Sequence, residues 1–129
     1  MKISLAIGAL AALGTTADAW YCNIKGGGLG HGVLKSLHKH FNEKYGGAAL
    51  TIAPSQIYWI ECNGNVFGVG STYGETYKEP SNYRNLAAAS NPGNGGRCLF
   101  ETSSPRIRYY FGRKKDFSFV GAGNSIRHC

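Results

Sequence analysis

The sequence predicts an α+β domain in which a single helix packs on one face of an antiparallel β-sheet and disulfide bonds staple the fold. Three observations support this prediction. One segment carries apolar residues at helical spacing, several later segments alternate with a period of two, and four cysteines follow an export signal. The helical segment precedes most of the strands, which is typical of a helix laid over a sheet.

The first 19 residues have the pattern of a secretory signal peptide. Lys2 supplies the positive start, residues 3–13 form a short apolar run, and Ala17-Asp18-Ala19 is a small-x-small cleavage site. The run is about half of the ~20 residues that a membrane-spanning helix needs, so we expect a removable signal and not an anchor. Removing 19 of the 129 residues leaves one domain of 110 residues, 20–129, in an oxidising compartment.

Cysteines in an exported chain of this size are expected to form disulfide bonds. The four cysteines allow three pairings, among which sequence alone does not choose. We favour Cys22–Cys129 together with Cys62–Cys98, because a bridge between the first and last parts of the mature chain would tether termini that otherwise fray. No C-x-x-C motif occurs, and we expect neither a metal nor another cofactor.

The formal net charge of +7 bears on partners. Such a charge attracts polyanions such as nucleic acid, and it is equally consistent with a role in solubility alone. The one predicted helix is not a long cationic amphipathic segment, so a membrane partner is not expected. We expect a monomer.

The first half of the mature chain is predicted to form a strand, a loop and a helix. Residues 20–24 form a short strand, and residues 26–32 form a glycine-rich loop. The helix covers about residues 33–45, where apolar side chains recur every three or four positions, and Gly46-Gly47 ends it. Its apolar stripe consists of Val33, Leu34, Leu37, Phe41 and Tyr45.

After the helix the hydrophobic period changes to two. Residues 56–62 and 66–70 are predicted to be strands joined by the hairpin signal Asn63-Gly64. Residues 79–96, rich in Pro, Gly, Asn and Ser, are predicted to be a long surface loop. Further strands are predicted at 97–101, 107–111, 117–120 and 125–128.

The densest basic stretch surrounds the strand predicted at 107–111. Alternation places Ile107, Tyr109 and Phe111 on one face, and Arg106, Arg108 and Tyr110 on the other. Cations neutralise phosphates and aromatic faces stack on unpaired bases, so one hypothesis is RNA binding. The competing interpretation is a hairpin whose arginines decorate a solvated face. The candidate RNA-binding residues are Arg106, Arg108, Tyr110, Arg113, Lys114 and Lys115.

Four features resemble the RNase-like secreted candidate effectors of cereal powdery mildew fungi, the RALPH effectors. They are the signal peptide, a mature domain near 110 residues, the aromatic-x-Cys motif Trp20-Tyr21-Cys22 at its start, and Cys129 at its end. The resemblance implies a microbial ribonuclease-like fold and delivery into the host plant cytoplasm. It also implies suppression of immunity by binding a host protein or RNA.

For some family members the resemblance further implies recognition by an intracellular immune receptor. The long loop 79–96 is the segment predicted to vary on such a surface, because loops tolerate change. From their position in or beside this loop, the candidate receptor contacts are Lys78, Glu79, Tyr83 and Arg84.

The ribonucleases that share this implied fold use Tyr, His, Glu, Arg and His on their strands, beginning with a Tyr-x-His pair. The comparable segment here contains Tyr58, but Ile60 stands in the place of the histidine. Isoleucine cannot transfer a proton, so the sequence predicts a pseudoenzyme. His38 and His40 on the helix are predicted to be solvated.

An active secreted ribonuclease is the alternative interpretation. Glu61 would be its candidate base and His128 its candidate acid, and it requires both to converge with an arginine on one sheet face. A small basic killer or antimicrobial toxin is a third interpretation.

Overall fold

The computed structural model describes residues 20–25, 29–71, 74–80, 82–93, 95–102, 106–117 and 125–129. The predicted signal peptide lies outside these residues, as do positions 26–28 of the glycine loop and 118–120 of the strand predicted at 117–120. The elements in chain order are β1 (Tyr21–Lys25), α1 (His31–Tyr45), β2 (Thr51–Ile52), β3 (Ile57–Cys62), β4 (Asn65–Gly70), β5 (Tyr77–Lys78), α2 (Tyr83–Ala89), β6 (Gly95–Glu101), β7 (Arg108–Arg113), a 3₁₀ turn (Lys114–Asp116) and β8 (Ser125–His128).

The α+β fold class is confirmed, and the described residues form two helices and a mixed sheet. Six of the described strands form the main sheet in the order β1-β6-β7-β4-β3-β8, and β2 pairs with β5 separately. The prediction of a purely antiparallel sheet was wrong, because β8 runs parallel to β3 while the other pairs are antiparallel. No tight hairpin joins β8 to its partner, so its direction was not fixed by a local turn signal.

The first helix forms as the apolar spacing predicts, beginning two residues earlier than expected. Leu34, Leu37 and Phe41 are buried against the main sheet. Burial of each side chain contributes roughly 1.5–3 kcal/mol. Gly46, at a φ of 88°, ends the helix and donates its N–H to the Asn42 carbonyl at 2.8 Å. The positive φ explains why glycine stands there.

The prediction of one long loop over residues 79–96 was wrong, because α2 lies inside it. The segment YRNLAAA has three alanines, the strongest helix formers, and it buries Arg84, Ala87 and Ala88 at helical spacing. The last carbonyls of α2 are capped from other elements. Trp20 donates to the Ala87 oxygen, and His31 lies 2.8 Å from the Ala88 oxygen.

Within the described residues, neither helix has the length and apolar character needed to cross a membrane.

The disulfide pairing predicted from the termini was wrong: the bonds join Cys22 to Cys98 and Cys62 to Cys129. Cys22 lies directly opposite Cys98 in the β1–β6 ladder. Cys129 follows β8, which lies beside β3 and therefore beside Cys62. A Cys22–Cys129 bond would have to cross the whole sheet, roughly 24 Å, because β1 and β8 are its opposite edges.

Two apolar clusters occupy opposite faces of the main sheet. The larger lies under α1 and includes Ile107, Tyr109 and Phe111, as the alternation in this strand predicted. The smaller lies on the other face, which we call the second face, and consists of Ile57, Trp59, Val66, Tyr110 and Phe117. The face predicted to be solvated therefore has its own buried centre.

Gly68 lets the Trp59 ring lie flat on the second face. The two residues are cross-strand partners, and a Cβ on Gly68 would come within 2.5 Å of Trp59 Cε3. We expect Gly68→Ala to lower the free energy of unfolding by about 1–3 kcal/mol through overpacking, as measured by denaturant titration. Gly47→Ala is the matched control, since no atom lies within 4 Å of that Cβ. Equal stabilities of the two variants would contradict this account.

Candidate functional site

The strand register aligns the residues of the second face in three rows. The middle row is apolar, and charged residues stand in the rows on either side. The middle row is Leu99, Tyr110, Gly68, Trp59 and Ile126; the row at one side is Arg97, Gly112, Val66, Glu61 and His128; the row at the other side is Glu101, Arg108, Gly70 and Ile57.

Three aromatic rings fill the centre of the second face. Trp59 packs on Tyr110 with ring centroids 5.2 Å apart, and both contact Phe117, at 5.5 Å and 6.0 Å. Burial raises the pKa of Tyr110, although the nearby Arg108 opposes the shift. The prediction that Tyr110 is available to stack on a base was wrong, because this side chain is 2% exposed and its surroundings are protein rings.

Glu61 and His128 meet at one side of this face. The parallel β3–β8 register places them opposite each other, and His128 Nε2 lies 3.0 Å from Glu61 Oε1. The second carboxylate oxygen accepts the backbone N–H of Gly64 at 2.8 Å. The imidazole is 59% exposed and the carboxylate 17% exposed, so the pair lies at the surface.

The isoleucine predicted to replace a catalytic histidine lies on the other face. Ile60 is fully buried in the cluster under α1, and Tyr58 faces the same side, 5.6 Å from the Tyr45 ring. The side chains that β3 presents to the second face are Trp59 and Glu61. The identity of Ile60 therefore does not decide what the second face can catalyse. The sequence argument assumed that Ile60 occupies a catalytic position, and the structure places it in the core under α1 instead.

The strand arginines are engaged away from the Glu61–His128 pair. Arg108 pairs with Glu101 at 2.8 Å, and Arg113 pairs with Asp116 at 2.8 Å. Arg127 lies over the Tyr45 ring at 4.5 Å and donates to the Lys44 carbonyl. Arg97 shares the row of Glu61 but stands three strands away, or roughly 14 Å.

A basic pocket lies at the end of the sheet, beside the turn that joins β3 to β4. Its volume is about 580 Å³. Lys114 and Lys115 are exposed, and the Lys114 N–H donates to the Gly64 carbonyl at 2.8 Å, which ties the 3₁₀ turn to the hairpin turn. We call this cavity the turn pocket; it is lined by Asn63, Gly64, Asn65, Arg113, Lys114, Lys115 and Phe117.

Two of the four predicted receptor contacts are buried. Glu79 is 2% exposed and Arg84 is 4% exposed, and they form an ion pair beneath the surface. Lys78 is exposed and Tyr83 is half-buried, so only these two remain at or near the surface. The prediction failed because α2 turns Arg84 inward at the spacing of Ala87 and Ala88, a helical pattern that the loop composition concealed.

His38 is half-buried, which corrects the prediction that it is solvated. Its ring meets the Phe67 ring edge-on at 6.1 Å. Burial lowers the pKa of His38, the charge of Arg84 lowers it further, and Asn85 and Glu79 act in the opposite direction. His40 lies nearer the surface and pairs with Glu43 at 2.9 Å.

The lowered pKa of His38 predicts a pH-dependent stability. Below the ordinary value of 6.5 the unfolded chain takes up a proton more readily than the folded chain at this site. The free energy of unfolding should therefore fall as the pH drops from about 7 to about 5. We expect His38→Gln to show a shallower fall than the parent in urea titrations across this range. His40→Gln makes the same replacement on the same helix and is the matched control; equal slopes for the parent and His38→Gln would refute the role of His38.

All four cysteines are committed to the two disulfides. Within the part of the chain that the structure describes, no group of three His, Cys, Asp or Glu side chains could hold a metal ion.

Comparison with known proteins found no protein-family model, no curated protein and no solved structure that matches this chain. The ribonuclease-like fold therefore rests on the sequence resemblance and is a proposal.

Proposed function

We propose that this chain is a secreted virulence effector of a plant-pathogenic fungus, of the avirulence type, with a ribonuclease-like domain that is not catalytic. It acts in the host cell cytoplasm by binding a host protein or RNA and suppresses immunity, and an intracellular immune receptor recognises it. The signal pattern at residues 1–19, the Trp20-Tyr21-Cys22 motif and the two disulfides support export and the family resemblance. A helix on one sheet face and a separate polar pair on the other agree with a ribonuclease-like arrangement.

The observation that carries the non-catalytic assignment is the composition of the second face. Cleavage of RNA through the 2′-hydroxyl needs a base and an acid on different sides of one phosphodiester, with a cation beside it. The middle of this face is filled by the buried rings of Trp59, Tyr110 and Phe117, so a phosphate placed there would lie against packed aromatic side chains. Glu61 and His128 stand to one side, with His128 Nε2 3.0 Å from Glu61 Oε1.

An active ribonuclease is the second candidate, and the 3.0 Å contact between His128 and Glu61 favours it. The remaining geometry weighs against it. Both carboxylate oxygens of Glu61 already have partners, His128 and the Gly64 N–H, and the strand arginines are engaged elsewhere. A base and an acid that bind each other leave no gap between them for the scissile phosphate.

The test is RNA cleavage by the secreted, disulfide-bonded protein. Fluorophore-quencher RNA oligonucleotides that contain all four bases should remain intact at enzyme concentrations where a guanyl-specific fungal ribonuclease cleaves them completely. Glu61→Gln and His128→Asn should be indistinguishable from the parent, because neither removes an activity. Cleavage that is present in the parent and lost in both variants would establish the ribonuclease and overturn the proposal.

A further inference from the structure

We propose that the turn pocket binds an acidic peptide segment of a partner protein, an inference that rests on the proposed function and specifies its partner. The pocket has a volume of about 580 Å³, within the range of sites that hold small ligands or a few side chains. The exposed residues Lys114 and Lys115 form what we call its cationic rim, and the nearly buried Phe117 closes its inner side.

The charge at the rim is uncompensated. Among the described residues, neither Lys114 nor Lys115 takes part in a salt bridge, whereas Arg113 is paired with Asp116. Both lysines are exposed, so their ammonium groups can reach a ligand at the pocket. Two adjacent unpaired cations beside a cavity select a partner that brings carboxylates or other anions.

The opposite wall of the pocket is a rigid turn. Asn63 and Gly64 have φ values of 55° and 82°, as the central residues of a tight hairpin do. The Gly64 N–H donates a hydrogen bond to the Glu61 carboxylate, and the Gly64 carbonyl accepts one from the Lys114 N–H. Asn63 and Asn65 flank this turn and line the pocket, and an asparagine amide carries both donors and an acceptor for a peptide backbone.

The surroundings of Phe117 favour a peptide over RNA. Single-stranded RNA is held by stacking its bases on exposed aromatic faces. Phe117 is 3% exposed, and Trp59, Tyr110 and the guanidinium of Arg97 surround its ring. Among the described residues that line the pocket, Phe117 is the one aromatic residue, and its buried ring offers no open face to a base. Carboxylate contacts with the two lysines and backbone contacts with the two asparagines need no stacking.

The test is fluorescence anisotropy with a labelled eight-residue peptide that alternates glutamate and leucine. The double variant Lys114→Glu/Lys115→Glu should weaken binding by about ten-fold or more, because it reverses both rim charges. The matched control, Lys35→Glu/Lys39→Glu, makes the same charge change on the exposed side of α1 and should weaken binding less than about three-fold, through long-range charge alone. Backbone amide shifts on peptide titration should centre on residues 63–65 and 113–115.

Three outcomes would overturn the pocket assignment. They are equal losses in the two double variants, no binding of the glutamate peptide beyond that of its glutamine counterpart, and tighter binding of an eight-nucleotide single-stranded RNA through the same two lysines. Each leaves the non-catalytic effector proposal intact if RNA cleavage is absent. Cleavage dependent on Glu61 would instead refute that proposal whatever the peptide does, so the two failures are distinguishable.

Discussion

Replacing Arg84 with alanine is expected to lower the free energy of unfolding by about 3–5 kcal/mol, because it strands a buried carboxylate. Arg84 uses all five of its N–H donors. Two serve the Glu79 carboxylate, and the others serve Asn42 Oδ1 at 2.7 Å, the Gly46 carbonyl at 2.8 Å and the Ala48 carbonyl at 3.1 Å. The guanidinium also lies 4.8 Å from the Phe41 ring centroid.

Glu79 is satisfied just as fully. Its two oxygens accept from Arg84, from the Tyr109 hydroxyl at 2.7 Å and from the Leu50 N–H at 3.3 Å. Burial and the adjacent carboxylate raise the pKa of Tyr109, so the phenol remains a donor. This network joins α2, the end of α1 and β7, and its loss leaves several polar groups buried without partners.

Denaturant titration of five variants tests this network: Arg84→Ala, Arg108→Ala, Glu79→Gln, Arg84→Met and the double variant Glu79→Gln/Arg84→Met. Arg108→Ala is the matched control, because it breaks an Arg–Glu pair whose side chains are 28% and 44% exposed. We expect that control to cost less than about 1 kcal/mol. The double variant Glu79→Gln/Arg84→Met should cost less than the sum of its single changes, because the second change removes the charge that the first leaves unpaired. A loss in Arg84→Ala no greater than in Arg108→Ala would show that the network contributes nothing.

The sequence determined the elements whose signals are local. The apolar spacing of α1 and the Asn63-Gly64 turn between β3 and β4 each lie within one short segment, and both were predicted close to their observed bounds. The strands predicted at 97–101, 107–111 and 125–128 were likewise found within two residues of their predicted ends. Periodicity reports which side of a segment is buried, and that information is sufficient for such elements.

Features that depend on distant partners were missed. Arg84 looked like a surface residue because nothing near it in sequence indicates the Asn42 and Ala48 oxygens that it binds. The β3–β8 register, which brings His128 to Glu61, follows from a parallel pairing that no turn specifies. The burial of Tyr110 required Phe117 to fold over the sheet, a contact that strand alternation does not encode.

Removing either disulfide is expected to lower the free energy of unfolding by about 4 kcal/mol on loop-closure entropy alone. The sequence separations are 76 for Cys22–Cys98 and 67 for Cys62–Cys129, so this contribution is nearly equal for the two bonds. Packing differs, because Cys98 is fully buried in the core under α1 while Cys129 is exposed. Cys22→Ala/Cys98→Ala should therefore be less stable than Cys62→Ala/Cys129→Ala by about 1 kcal/mol, since it also leaves a cavity.

Double cysteine variants also test the disulfide pairing, because the observed and the predicted pairing leave different numbers of free thiols. Cys22→Ala/Cys98→Ala removes one complete bond, so alkylation followed by mass spectrometry should find no free thiol in the folded variant. A Cys22–Cys129 and Cys62–Cys98 pairing would instead leave two cysteines without partners, and both would be alkylated. Cys22→Ala/Cys129→Ala is the reciprocal control, in which the observed bonds predict two free thiols at Cys62 and Cys98. The six-stranded sheet opposes a rearrangement of the two disulfides. Each bond joins one edge strand, or the residue after it, to the strand beside it, and the two edge strands lie on opposite sides of the sheet.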